Sequence, residues 1–248
     1  MVKIQLLVGL AFLLLGAACT GDPCPQEHLV LVPAGWFLMG ENDGRRSNQP
    51  QHRVYLDAYC IQNTEVTAGE FTAYLAAAGR PADVGNYIWL DKRDSLPAIG
   101  VLWRDADAYC RWDGLRLPTE AEWEKAARGV DGRRFPWGNL WDPRLANTAE
   151  SGLEEVLPVG SYPAGVSPYG LLDMAGNAAE WVADYFAFNY YQVSPTRNPI
   201  GSTLVLDHGL RGGSYVSPAG QATTYFRDSS HSAQPNPRVG FRCAVSVK

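Results

Sequence analysis

The chain has 248 residues, with 21 basic against 26 acidic side chains and a formal net charge of −5. That balance, without any block of Lys and Arg, argues against a nucleic-acid partner, and the length suits one large domain or two small ones. Eight tryptophans, twelve tyrosines, 25 glycines and 17 prolines describe ordered loops with aromatic side chains filling the space between them.

Lys3 precedes an apolar run from Ile4 to Leu15 that is about half the length needed to cross a bilayer, which predicts a signal peptide over residues 1–18. Leu15-Gly16-Ala17-Ala18-Cys19 resembles a bacterial lipobox. The resemblance implies an exported lipoprotein, cleaved before Cys19 and attached to the membrane only through lipid on that cysteine. Thr20 at the next position points to the outer membrane or cell surface. Residues 19–28 read as a tether, and no repeat or low-complexity linker divides residues 29–248, which are taken as one domain. Beyond Cys19 stand Cys24, Cys60, Cys110 and Cys243. An even number in an exported chain predicts two disulfides, for which sequence alone allows three pairings. The histidines (His28, His52, His208 and His231) have no helical metal-ligand spacing and read as surface or hydrogen-bonded residues.

In chain order, Leu29 to Met39 predicts two strands about a Pro33-Ala34-Gly35 turn, and a polar loop then leads to a strand over Arg53 to Cys60. Thr67 and Glu70 form a capping box before a helix that carries Phe71, Tyr74, Leu75 and Ala78 on one face and stops at Gly79. A short helix over Arg104 to Trp112 would bury Ala106, Tyr109 and Cys110. Thr119 and Glu122 form a second capping box, opening a helix with Trp123, Ala126 and Ala127 toward the core and Gly129 closing it. Phe135 to Asn139 is aromatic turn chemistry, and Val156 to Tyr162 is one extended piece in an otherwise loop-like stretch. Leu210 to Tyr215 predicts a strand entering a glycine-rich bend, and Val239 to Val245 a final strand. Between them, Val216 to Arg238 is a polar loop long enough to be a functional surface.

The segment from Gly170 to Trp181 organises the chemistry. Asp173 and Glu180 bracket a Gly176-Asn177 turn, so side-chain oxygens and turn carbonyls can converge in the manner hard cations favour. The other reading is that both carboxylates only satisfy backbone donors around the turn.

Taken together, Val32 to Gly40, Glu65-Val-Thr67, Arg116 to Glu124, Phe135 to Asn139, Tyr169 to Trp181, Arg211-Gly-Gly-Ser214 and Gly240-Phe-Arg-Cys243 resemble the formylglycine-generating enzyme, or sulfatase-modifying factor, family. The resemblance covers nearly the whole chain after Cys19. It implies a single α+β domain of C-type-lectin-like fold, low in regular secondary structure. It also implies a structural calcium ion (Ca2+) at the Asp173 side chain, the Gly176 and Ala178 carbonyls and the Glu180 side chain, and a disulfide between Cys110 and Cys243. The family's second calcium site, after Asn147-Thr148, finds only Glu154 and Glu155 as acidic groups here. Pairing Cys24 with Cys60 has no counterpart in the family; two free thiols are the alternative.

The active members of that family hold Cu(I) on two cysteines shortly after the Gly-Gly-Ser bend. Those positions fall on Ser217 and Ala222; a soft ion that wants thiolates finds neither, so copper is not expected. No catalytic residue is assigned. The reading is a non-catalytic binding or accessory protein of the cell envelope that recognises a peptide, protein or glycan. Its candidate surface is Arg211, Ser214, Tyr215, Ser217, Tyr225, Arg227, Asp228 and His231, and ion pairing within the loop is expected to account for at least one of Arg211 and Arg227. The alternative is a formylglycine-generating oxidoreductase acting on a sulfatase cysteine.

Overall fold

The computed structural model describes residues 24–80, 94–202 and 207–247. The predicted signal peptide, Cys19 and the first half of the tether lie outside the described residues. Among those described, no helix is long and apolar enough to cross a membrane.

The helices begin where the sequence supplies caps. Helix α1 (Ala68–Ala77) starts at Thr67, whose hydroxyl accepts from Glu70 N at 3.2 Å, while the Glu70 carboxylate accepts from Thr67 N at 2.8 Å. Helix α3 (Glu120–Arg128) repeats the arrangement with Thr119 and Glu122; each such cap contributes about 1 kcal/mol. Helix α2 (Trp103–Trp112) buries Ala106, Tyr109 and Cys110 as expected. On α1, Phe71, Tyr74 and Leu75 are buried, but Ala78 is exposed.

The strands depart from the linear reading because three small sheets share the chain. β1 (Leu29–Val32) and β2 (Gly35–Met39) both form, yet they do not pair with each other: β2 pairs antiparallel with β3 (His52–Leu56), and β1 with β4 (Tyr59–Gln62). The strand expected over Arg53 to Cys60 is thus two strands, parted at Asp57-Ala58 so that each joins a different sheet. The last strand divides in the same way. β8 (Val239–Phe241) runs parallel to β5 (Ala179–Tyr185), and after Arg242-Cys243 β9 (Ala244–Ser246) joins β4. β6 (Asp207–Arg211) and β7 (Asp228–His231) complete the four-stranded sheet in the order β7-β6-β5-β8. β7 lies inside the stretch read as loop, and Val156 to Tyr162 is not a strand but a loop turning at Val159-Gly160. The result is a mixed helix-and-sheet domain with much irregular chain, as the resemblance implies.

Among the described residues, two large apolar clusters hold these pieces. One packs α1 and α2 against β8 through Phe71, Tyr74, Tyr109 and Phe241, with ring centroids 5.4–5.9 Å apart. It contains both disulfides, Cys110–Cys243 and Cys24–Cys60. The other surrounds α3 through Trp123, Phe37, Val54, Leu171 and Met174. The chain is therefore fastened at Cys24, five residues before β1.

His208 differs from the expectation of a surface or hydrogen-bonded histidine. It is 3% exposed, stacked on Trp103 at 3.8 Å and tilted against Tyr185 at 4.2 Å, and neither ring nitrogen has a hydrogen-bond partner. Burial pushes its pKa down to about 4, against the pull of Asp107 and Asp207. The unfolded chain then binds a proton below about 6.5 that the folded chain refuses until about 4. His208 stabilises above that window, and its contribution fades as pH falls through it. Urea midpoints at neutral and mildly acidic pH should therefore converge in His208→Phe relative to the unaltered chain; an unchanged pH dependence would contradict this.

Candidate functional site

The bend after β6 needs glycine. Gly212 and Gly213 have φ of 86° and 70°, and a Cβ on Gly213 would lie 2.8 Å from the Gln221 carbonyl oxygen. The bend opens a cleft of about 170 Å³ lined by Arg211, Ser214, Ser217, Asp228, Asn236 and Arg238, with Phe226 as an apolar wall. Of the residues expected at a binding surface, Arg211, Ser214, Ser217 and Asp228 meet here. Tyr225 lines an adjoining hollow of about 310 Å³ with Glu41, Arg45 and Arg134, and Phe226 is common to both. Tyr215, Arg227 and His231 line neither. His231 lies exposed at the end of β7, and Tyr215 N donates to the Asn177 carbonyl. Asn236 and Arg238 were not legible in advance, since nothing in a polar loop marks which side chains return to a cleft.

Ser217 Oγ accepts from Ser214 N at 2.9 Å and lies 3.2 Å from Ser214 Oγ. Ala222 is wholly buried against Ala146 and Ala175, with Trp137 and Trp141 behind them. A hydroxyl engaged in closing the bend and a methyl group in an apolar cluster do not fit a copper ion.

The two arginines of the expected surface are structural. Arg227 donates to both oxygens of Glu120, at 2.7 and 2.9 Å, and stacks on Tyr191 at 4.1 Å. Arg211 donates to Glu120 at 3.2 Å, to Glu124 at 2.7 Å and to the Thr224 carbonyl at 2.6 Å. Arg128 completes the set on Glu124 at 2.7 Å. Burial alone would raise the Glu120 carboxyl, but Arg227 and Arg211 together hold it below its ordinary value. Burial works against the charge on both arginines as well, and the facing carboxylates more than offset it.

A second group of carboxylates lies at the Gly176-Asn177 turn. Gly176, at φ 79°, has the Asn147 carbonyl 2.1 Å from where a Cβ would sit. Asp173 also takes a left-handed backbone, φ 58°, and accepts from Gly160 N at 2.6 Å. Glu180 accepts from Arg242 Nε and Nη2, both at 2.7 Å, and from Trp123 Nε1 at 2.8 Å. Glu65, quoted in a motif but assigned no role from sequence, is also here. Its Oε1 accepts from Asn177 Nδ2 at 3.0 Å, while its Oε2 is buried with no partner. Burial, then the charges of Asp173 and Glu180, push Glu65 well above the usual carboxylate range against the pull of Arg242. Among the described residues no three His, Cys, Asp or Glu side chains form a metal cluster by themselves. The donor chemistry nevertheless suits a hard cation: an orphaned carboxylate oxygen, Asp173 and turn carbonyls, in a region short of positive charge. Glu180 comes to it already paired with Arg242.

Residues 17–247 match the family model described as the sulfatase-modifying factor enzyme 1-like domain. The chain is 34% identical over 286 residues to the formylglycine-generating enzyme of Streptomyces coelicolor, covering 90% of each. It is also 34% identical over 241 residues to the serine/threonine-protein kinase pkn1 of Chlamydia caviae; there the match takes in 89% of this chain but only 38% of that protein. Among solved structures, PvdO from Pseudomonas aeruginosa is similar at a TM-score of 0.77 and 28% identity, over 91% of this chain and 96% of that one.

Arg227→Ala leaves Glu120 with an uncompensated share of buried charge and should cost about 3–5 kcal/mol of stability, measured by urea unfolding. A fully stable Arg227→Ala protein would contradict the structural role given to this pair.

Proposed function

Because this chain belongs to the family of the sulfatase-modifying factor enzyme 1-like domain, we propose that it is a non-catalytic binding or accessory protein built on a formylglycine-generating-enzyme scaffold. It would stand at the cell envelope on a lipid carried by Cys19, and bind an extended peptide or protein segment in the cleft beside Ser214. The observation that carries this reading is the pair Ser217 and Ala222 at the positions of the family's copper-binding thiolates. Without a soft donor at either position the scaffold keeps a cleft and loses the means to activate oxygen there. Asp228, Asn236 and Arg238 offer both signs of charge and an amide along the cleft, the polar variety that fixes the register of a main chain.

The test is mass spectrometry of sulfatase-type cysteine peptides incubated with the mature protein, Cu(I), oxygen and a reductant. Unaltered peptide is expected. Conversion of the cysteine to an aldehyde would overturn the reading and favour the oxidoreductase.

Calcium belongs to the same proposal, as a structural ion held by Asp173, the Gly176 and Ala178 carbonyls, and Glu65 with Glu180. A bound cation would offset the burial and the neighbouring carboxylate charges that now raise Glu65. Calcium is then expected to raise the melting temperature by several degrees, and Asp173→Ala to abolish that shift. Equal melting temperatures with calcium and with a chelator would remove the ion from the account.

A further inference from the structure

The first turns of the described chain are fastened to one side of the molecule. Cys24 is bonded to Cys60, and Gln26 Nε2 donates to the Asp113 carbonyl at 3.3 Å, just beyond the end of α2. Beside that point the surface is unusual. Trp112, the last residue of α2, is 53% exposed, its ring 5.4 Å from Tyr74 of α1. The outward side of α1 from Thr72 to Gly79 carries no charge, and Ala73, Ala76, Ala77 and Ala78 are all exposed there. Arg111, 72% exposed, and Arg80, 40% exposed, border this patch, paired with Asp107 and Asp105.

We infer that the face formed by Trp112 and the alanines of α1 rests on the lipid surface. The inference depends on the proposed lipid at Cys19. From Cys19 to Cys24 the chain reaches at most about 18 Å, so a lipid on Cys19 cannot leave the side of the domain where Cys24 and Gln26 are held. An exposed indole suits the boundary between headgroups and acyl chains. A helix face without charges meets that boundary at no cost of desolvating ions, and bordering arginines lay their apolar stems along it while their guanidinium groups reach phosphates. Lipid anchoring becomes firm when a second contact joins the chain already inserted; this face supplies it. Cys24–Cys60 would then act as an orienting clasp, fixing which side of the domain meets the membrane.

The experiment uses the full processed lipoprotein in phospholipid vesicles whose acyl chains carry bromine near the headgroup. Flotation reports anchoring, and loss of tryptophan fluorescence reports contact. The protein should float and be quenched; Trp112→Phe should float equally but lose most of the quenching. Ala77→Glu, at an exposed helix position where folding is not at stake, should also float and be quenched less. Flotation with quenching unchanged in both variants would overturn the inference and leave the anchor standing. Failure to float would overturn both. Absent quenching, with a dimer in detergent that Trp112→Phe dissolves, would give this face to a second copy of the chain and overturn its assignment to lipid.

Discussion

Two carboxylates on one face of α3, Glu120 and Glu124, meet three guanidinium groups in the interior: Arg128 from the same helix, Arg211 from the end of β6, and Arg227 from just before β7. Charges of this kind are buried only when paired and hydrogen-bonded, so each arginine fixes where its own segment must lie. Arg227 also donates to the Ser47 carbonyl, and Arg128 to those of Leu38 and Gly40. The lattice thereby ties β2, the loop after it, β6 and the start of β7 to a single helix. Such a network is not by itself a large source of net stability, since apolar side chains of the same volume would do as well. Its strength lies in the penalty for breaking any one pair. That penalty holds the Gly212-Gly213 bend, and with it the cleft, in one shape.

The carboxylates at the Gly176-Asn177 turn follow the opposite logic. Among the described residues, Glu65, Asp173 and Glu180 face the guanidinium of Arg242, which is given over to Glu180. The α3 lattice is close to balanced, whereas at this turn burial, and then the charges of Asp173 and Glu180, push Glu65 toward its protonated form against the pull of Arg242. The neutral form of Glu65 is the one this environment favours. The two clusters lie back to back: Trp123 of α3 donates its indole N–H to Glu180, so the turn that would hold an ion is braced against the helix that positions the cleft.

Much of this was legible where the determinants are local. Both capping boxes stood in the sequence, and both helices begin on them. The glycine bend was legible because two consecutive glycines after an apolar strand signal a close backbone approach. The interior of α3 was not. Glu120, Glu124 and Arg128 received no role from the sequence, because the partners of Glu120 lie 91 and 107 residues away in the chain and that of Glu124 lies 87 residues away. For the same reason Arg211 and Arg227 stood among the candidate binding residues: an ion pair was expected for at least one of them, within its own loop, whereas both pair with α3. The strand breaks at Asp57-Ala58 and Arg242-Cys243 were hidden because one apolar run serves two sheets, and period-two alternation does not reveal a change of partner. His208 gave no signal, since a single histidine held between two aromatic rings has no sequence pattern.

If, as proposed, Ser217 and Ala222 stand where the family's copper-binding thiolates would, the chain keeps the family fold without a soft donor pair. Cu(I) affinity, measured by competition with a chromophoric chelator under anaerobic conditions, tests it most directly. The purified protein should take no copper from the chelator, and Ser217→Cys combined with Ala222→Cys should acquire one tightly held ion. Stoichiometric, tight Cu(I) binding by the unaltered chain would contradict it.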